Sequence, residues 1–137
     1  MDKSYPQHII ASYNLGHSTI VQRRDGIIEL HCSDDFTYDV EHIKENQAHL
    51  KEMGQGKKVV VLNFTGHFTS ITNDGRNHIS AGSHKDYIAA EAFLIHSLPQ
   101  RIMANFYIKI NKPVVPTAYF SYDQKEEAEE WLKGYLQ

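Results

Sequence analysis

The apolar positions along the chain change period several times, and each change predicts an element. Residues 18–24, "STIVQRR", and 27–32, "IIELHC", flank Asp25-Gly26, a dipeptide suited to a tight turn. They predict a β-hairpin. In its second arm Ile28, Leu30 and Cys32 share one face and Glu29 and His31 the other, so the strand reads as half buried. The preceding "HIIASYNLG" reads as an extension of the first arm. Residues 39–54 then take a helical period, with Val40, Ile43, Leu50 and Met53 on one stripe, Gln47 interrupting it and Gly54 as the stop. "KKVVVLNF" is short, β-branched and continuously apolar, the pattern of an interior strand covered on both faces.

The middle of the chain is less regular. "TNDGRNHISAGS" predicts a short helix with Thr72 or Asn73 as its cap, although Gly75 costs about 1 kcal/mol relative to alanine there. "DYIAAEAFLIHS" fits either period. Pro99 suits a first helical turn, and Ile102, Met103, Phe106, Tyr107 and Ile110 follow at helical spacing. That reading leaves "AAEAFLIHS" as a buried strand. The competing one runs a helix over 84–97 and makes "NFYIKI" a strand. Pro113 and Pro116 close the segment, and "PTAYFSY" predicts a short strand. The last helix is expected to be capped by Asp123 with Glu126 three residues on, to bury Ala128, Trp131, Leu132 and Tyr135, and to end near Lys133. The resulting order is β-hairpin, α, β, α, β, α, β, α. It predicts a single α/β domain with a mixed, mostly parallel sheet, a hairpin at one edge and helices packed against it.

Composition narrows the function classes. The 137 residues are 41% apolar and 23% charged, with net charge −3 and a pI near 6.3, ordinary for one globular domain. Lysine and arginine are massed nowhere, which argues against a nucleic-acid partner. No apolar run is long enough for a membrane span, and "MDKSYPQH" lacks the apolar core of a signal peptide. The single cysteine, Cys32, forms no internal disulfide and suits a reducing compartment. A cytoplasmic location is expected.

The candidate chemistry gathers in "NFTGHFTSITNDGRNHI", where Thr69, Ser70 and Thr72 place three hydroxyls at the mouth of a helix. Free N–H groups there favour an anion, so Ser70, Thr72 and Asn73 are candidate phosphate acceptors or ligand contacts; capping is the commoner use of these residue types. Arg76, one turn on, suits an anion or an acidic partner, or a solvated face. Arg101 and Asn105 lie four apart, as a polar patch beside a groove or as a helix–loop contact. The nine histidines are scattered, with no His-x-x-x-His or Cys-x-x-Cys, so no metal site is expected. A lone strand cysteine is more often a small buried hydrophobe than a nucleophile, and adjacent Asp34-Asp35 suit a loop. No glycine-rich phosphate loop occurs.

A buried strand, a hydroxyl-rich turn and a short helix together resemble the STAS domain, the fold of bacterial anti-sigma-factor antagonists. The run from 99 to 136 is similar to a small bacterial STAS-like branch often grouped with the CRAL-TRIO lipid-binding fold. The residues that carry the likeness are Arg101, Asn105, Phe106, Lys112, Pro113, Pro116, Thr117, Phe120, Ala128, Trp131 and Leu132. The resemblance favours "AAEAFLIHS" as a strand. It places Thr72 near the position phosphorylated in the antagonists, with Ile71 where they carry aspartate and the glycine at 75. It implies a non-enzymatic regulatory module that binds a protein partner through Ser70, Thr72, Asn73 and Arg76, with no cofactor and with a homo-oligomer compatible. The alternative it implies is a carrier holding an apolar small ligand or lipid in a groove beside helix 99–110.

Overall fold

The computed structural model describes residues 7–96 and 113–136. Its centre is a six-stranded mixed sheet. Strands β1 (Ile9–Asn14), β2 (Ser18–Arg23) and β3 (Ile27–Cys32) are antiparallel neighbours, and β5 (Val59–Phe64), β7 (Ile88–Ile95) and β8 (Thr117–Ser121) follow in parallel, in the order β1-β2-β3-β5-β7-β8. The α/β class, the mixed sheet and its mostly parallel pairing agree with the sequence. "HIIASYNLG" does not lengthen β2. Gly16, with φ +88, turns the chain at Leu15–Ser18, and β1 returns as a separate edge strand.

The run "VVVL" reads as it does because β5 is central. Val59 and Val61 enter one core cluster with Ile20, Ile28, Leu30 and Leu50, the last from helix α1 (Val40–Gly54). Val60 and Leu62 enter the other, with Ala90, Ala92, Leu94, and Ala128 and Leu132 from helix α3 (Lys125–Lys133). A strand alternates its side chains, so a wholly apolar run requires cover on both faces. The same alternation settles Ile88–Ile95 as strand β7. Ala90, Ala92 and Leu94 are small and large residues on one face, all inaccessible to solvent.

Strand β3 departs from its half-buried reading. The face bearing Glu29 is covered by α3, and Glu29 is itself buried. Arg23 satisfies it, donating through Nη1 to Glu29 at 3.2 Å and to Glu129 of α3 at 2.6 Å, while Nη2 reaches Asp25 at 2.6 Å. Charges are tolerated under a helix because each has a partner.

Two cap assignments shift. Helix α1 runs to Gly54, but the residue that takes the left-handed cap conformation is the next one, Gln55, at φ 49. Its polar interruption, Gln47, bonds His78 of the short helix α2 (Asn73–Ser80) at 2.8 Å. Helix α3 is not capped by Asp123. Ser121 and Gln124 form a reciprocal capping box around the 3-10 turn Tyr122–Gln124, because that turn precedes the helix and moves the cap upstream. The helix expected over 99–110, including Arg101 and Asn105, lies outside the described residues.

Glu91, in the middle of β7, pairs in register with Val61 on one side and Thr117 on the other. Burial pushes its carboxyl up to about 7, and a hydrogen bond with Asn63 offsets only part of that. A carboxyl raised on folding loses stability as pH climbs from the unfolded range through the folded value. Glu91→Gln is therefore expected to stabilise the fold at pH 8 more than at pH 5, by about 2 kcal/mol, in urea unfolding at the two pH values. An equal margin at both would contradict the buried neutral carboxyl.

Candidate functional site

In an open parallel sheet, ligands and partners meet the C-terminal ends of the strands, where loops and helix starts gather. Here that rim is made of residues 33–38 after β3, 65–72 after β5, His96 after β7 and Tyr122 after β8. The first two segments are built alike. Each runs through a two-residue strand, β4 (Thr37–Tyr38) or β6 (Ser70–Ile71), into a helix cap, and the two short strands pair in parallel. Ser70 N–H donates to Phe36 O and Thr72 N–H to Tyr38 O, both at 3.0 Å.

The caps meet. Asp39 caps α1, accepting from Val40 N–H at 2.8 Å, and His42 Nδ1 accepts in return from the Asp39 N–H at 3.0 Å. Thr72 caps α2, accepting from Gly75 N–H at 3.0 Å, and its hydroxyl donates to Asp39 Oδ1 at 2.8 Å. One carboxylate thus serves two helix N-termini. The Thr72 hydroxyl and the Val40 N–H hold Asp39 below the usual carboxylate range. The positive ends that would attract a phosphate already carry a protein anion. Gly75 makes this approach feasible: a Cβ there would lie 2.9 Å from Ile43 Cδ1 of α1 and 2.8 Å from Ile71 Cγ2. The helix-weakening glycine is a point of close backbone approach of α2 to Ile43 of α1.

The other sequence-selected residues divide. Ser70 is exposed, and its hydroxyl is 2.9 Å from Thr37 Oγ1, itself exposed. Asn73 and Arg76 form a unit: Arg76 donates to Asn73 Oδ1 at 2.5 Å and to Ile71 O at 2.7 Å. Arg76 is therefore a brace of its own helix start and not a free surface charge. Asp34 Oδ1 accepts from His67 N–H and Asp35 N–H donates to His67 O, each at 2.8 Å, so the acidic pair does serve a loop. Cys32 behaves as a small half-buried hydrophobe, and burial pushes its thiol up to about 11, away from nucleophile chemistry.

Periodicity gave no signal for three features. The rim carries a chain of rings: His31 stacks on Phe64 at 4.1 Å, Phe64 meets Tyr122 at 6.1 Å, His96 stacks on Tyr122 at 3.9 Å and His67 on His96 at 3.8 Å. Next to it Phe68 is 82% exposed with φ +58, a left-handed conformation that costs a bulky residue about 1–2 kcal/mol. Behind the rim an acid, an imidazole and a hydroxyl line up: Glu45 Oε1 lies 2.5 Å from His17 Nε2, and His17 Nδ1 2.8 Å from Ser18 Oγ. The order matches a nucleophile with its base and orienting group. Ser18, however, is 2% exposed, and its oxygen is shared with Asn46 Nδ2 and Tyr38 Oη, each at 3.1 Å. It joins β2 to the middle of α1 and to β4, buried away from any substrate.

Among the described residues no three His, Cys, Asp or Glu side chains converge to hold a metal ion, and no helix is long and apolar enough to cross a membrane. An open groove of about 490 Å³ at the opposite end, beside the C-terminus of α1, is bordered by Lys51, Glu52, Lys57 and Asp86.

Thr72→Ala removes both the cap and the link to Asp39. It is expected to lower unfolding stability by about 1–2 kcal/mol, with Thr72→Ser largely restoring it. In the Asp39→Ala background the same change should cost less, because the shared bond is already gone. Full additivity in urea unfolding would contradict the link.

No curated protein and no solved structure matches the chain. A family model does match, over residues 21–136, from within β2 through α3 and so across every parallel strand. The chain therefore belongs to the DUF7793 family, a domain of unknown function.

Proposed function

We propose that the protein is a non-enzymatic, STAS-like regulatory module that binds another protein through the strand-end rim. The observation that carries this reading is a solvent-facing surface held rigid by its own hydrogen bonds: two loops paired as β4–β6, two helix caps sharing Asp39, and Ser70 and Asn73 exposed at the mouth of α2. Pre-organised loops lose little freedom on binding, which suits a contact surface. Among the described residues the nearest approach to a catalytic constellation, Glu45–His17–Ser18, is spent on structure.

Within this reading the switch residue is Ser70 rather than Thr72. A phosphate on Thr72 would have to break two hydrogen bonds and stand beside the Asp39 carboxylate, whereas Ser70 presents an exposed hydroxyl bonded only to a neighbouring threonine. About two negative charges added there would alter any partner contact across the rim. The test is affinity purification from the native host with quantitative mass spectrometry. Ser70→Glu and Asn73→Ala are expected to change the recovery of a shared partner by about tenfold or more, and Thr72→Ser to leave it unchanged. Recovery insensitive to both rim substitutions would contradict the proposal.

A further inference from the structure

The contact surface carries a feature that folding alone does not account for. Phe68 is a large aromatic side chain at the tip of the β5–α2 loop, 82% exposed, in a backbone conformation that bulky residues rarely adopt. It buries less than a fifth of its surface, little to offset that strain. The loop is nevertheless fixed on both sides of it. His67 is held by Asp34 and Asp35 and stacks on His96; Thr69 donates to Ser33 O at 2.9 Å; Ser70 pairs with Phe36. Gly66 sits so close to Ser33 that a Cβ would lie 2.6 Å from its carbonyl oxygen, so the loop is packed against the segment that follows β3. The chain holds an aromatic ring outward in one position. Rigid, exposed aromatics with paid-in-advance ordering are the usual anchors of protein contacts.

The charges around the ring select the partner. Asp34 and Asp35 are exposed directly beside it, and Asp74 and Asp123 are exposed on the neighbouring helix start and turn. Of the cations at this end among the described residues, Arg76 is bonded to Ile71 O and Asn73, and Lys125 lies over the Phe64 ring at 5.8 Å. A lipid headgroup surface or a nucleic-acid backbone would bring phosphates against these carboxylates. A second copy of this chain, with net charge −3, would bring the same acidic rim against itself. An arginine- or lysine-bearing segment fits both features: its cations pair with Asp34 and Asp35, and an arginine plane can lie on an aromatic face.

We infer that Phe68, flanked by Asp34 and Asp35, is the docking point for a basic segment of another protein. This rests on the protein-binding reading of the same rim and names its partner class. The test is photo-cross-linking in the native host, with p-benzoyl-phenylalanine in place of Phe68 and, in a parallel strain, in place of Asn73, the linked peptides being sequenced by mass spectrometry. The expected result is a link from position 68 to a net-positive peptide of a different protein. Combining Asp34→Asn with Asp35→Asn should lower its yield by about fivefold or more, since asparagine keeps the oxygen that accepts the His67 N–H while removing the charge. A link from 73 with none from 68, or a link from 68 to an acidic or neutral peptide or to a second copy, overturns this inference and leaves the binding module standing. Absence of links from both positions overturns both.

Discussion

The constraint on which the rest of the structure depends is that β5 must be covered on both faces. Val59 and Val61 point one way, Val60 and Leu62 the other, and all four are buried. At about 25 cal/mol per Å² of apolar surface, leaving either face in water would forfeit several kcal/mol from this strand alone. Helix α1 supplies one cover and α3 the other. Once the helices that follow parallel strands are fixed in that way, their N-termini and the preceding loops are brought to one end of the sheet. The rim is a consequence of burying β5, and its chemistry is whatever the loop residues place there.

What they place there is mutual support. The two segments 33–39 and 65–72 have the same construction, and they pair through backbone, through side chains and through the single carboxylate of Asp39. Each bond is ordinary in strength, about 1 kcal/mol net, but they share partners and close a network, so none is lost alone. The same network withdraws Thr72 from solution chemistry and leaves the Ser70 side chain and the Phe68 ring exposed. Stability and exposure are thus divided between adjacent residues of one loop.

The fold was legible in the sequence wherever a local pattern had a single physical cause. A continuous β-branched run meant two-sided burial and Asp25-Gly26 meant a hairpin, whereas "AAEAFLIHS" fitted either period and was favoured as a strand by its neighbour Pro99 and by the STAS resemblance. The site was legible only in part. Thr72 could be read as a cap because threonine before a helix has that use. That its hydroxyl also reaches Asp39, 33 residues away, could not, since the partner is set by the packing of α1 on α2. The Asp39 box itself was hidden because His42 takes the place of the usual glutamate or glutamine. Arg76 read as a surface charge because its acceptors are a backbone carbonyl and a neighbouring amide, neither of which leaves a compositional trace. Phe68 gave no signal, because one aromatic residue in a loop looks the same in sequence whether it is buried or displayed.

Whether the rim is pre-organised can be measured directly by native-state amide hydrogen exchange. The account predicts that Asp35, His67, Ser70, Thr72 and Gly75, loop and helix-start amides near the surface, exchange slowly, at least about a hundredfold below unstructured rates, because each donates within the network. Phe68, which holds no such bond in the structure, should exchange fast between protected neighbours. Fast exchange across the whole of 65–75 would contradict the account, for the rim would then be an unordered loop and its exposed aromatic an accident of one conformation.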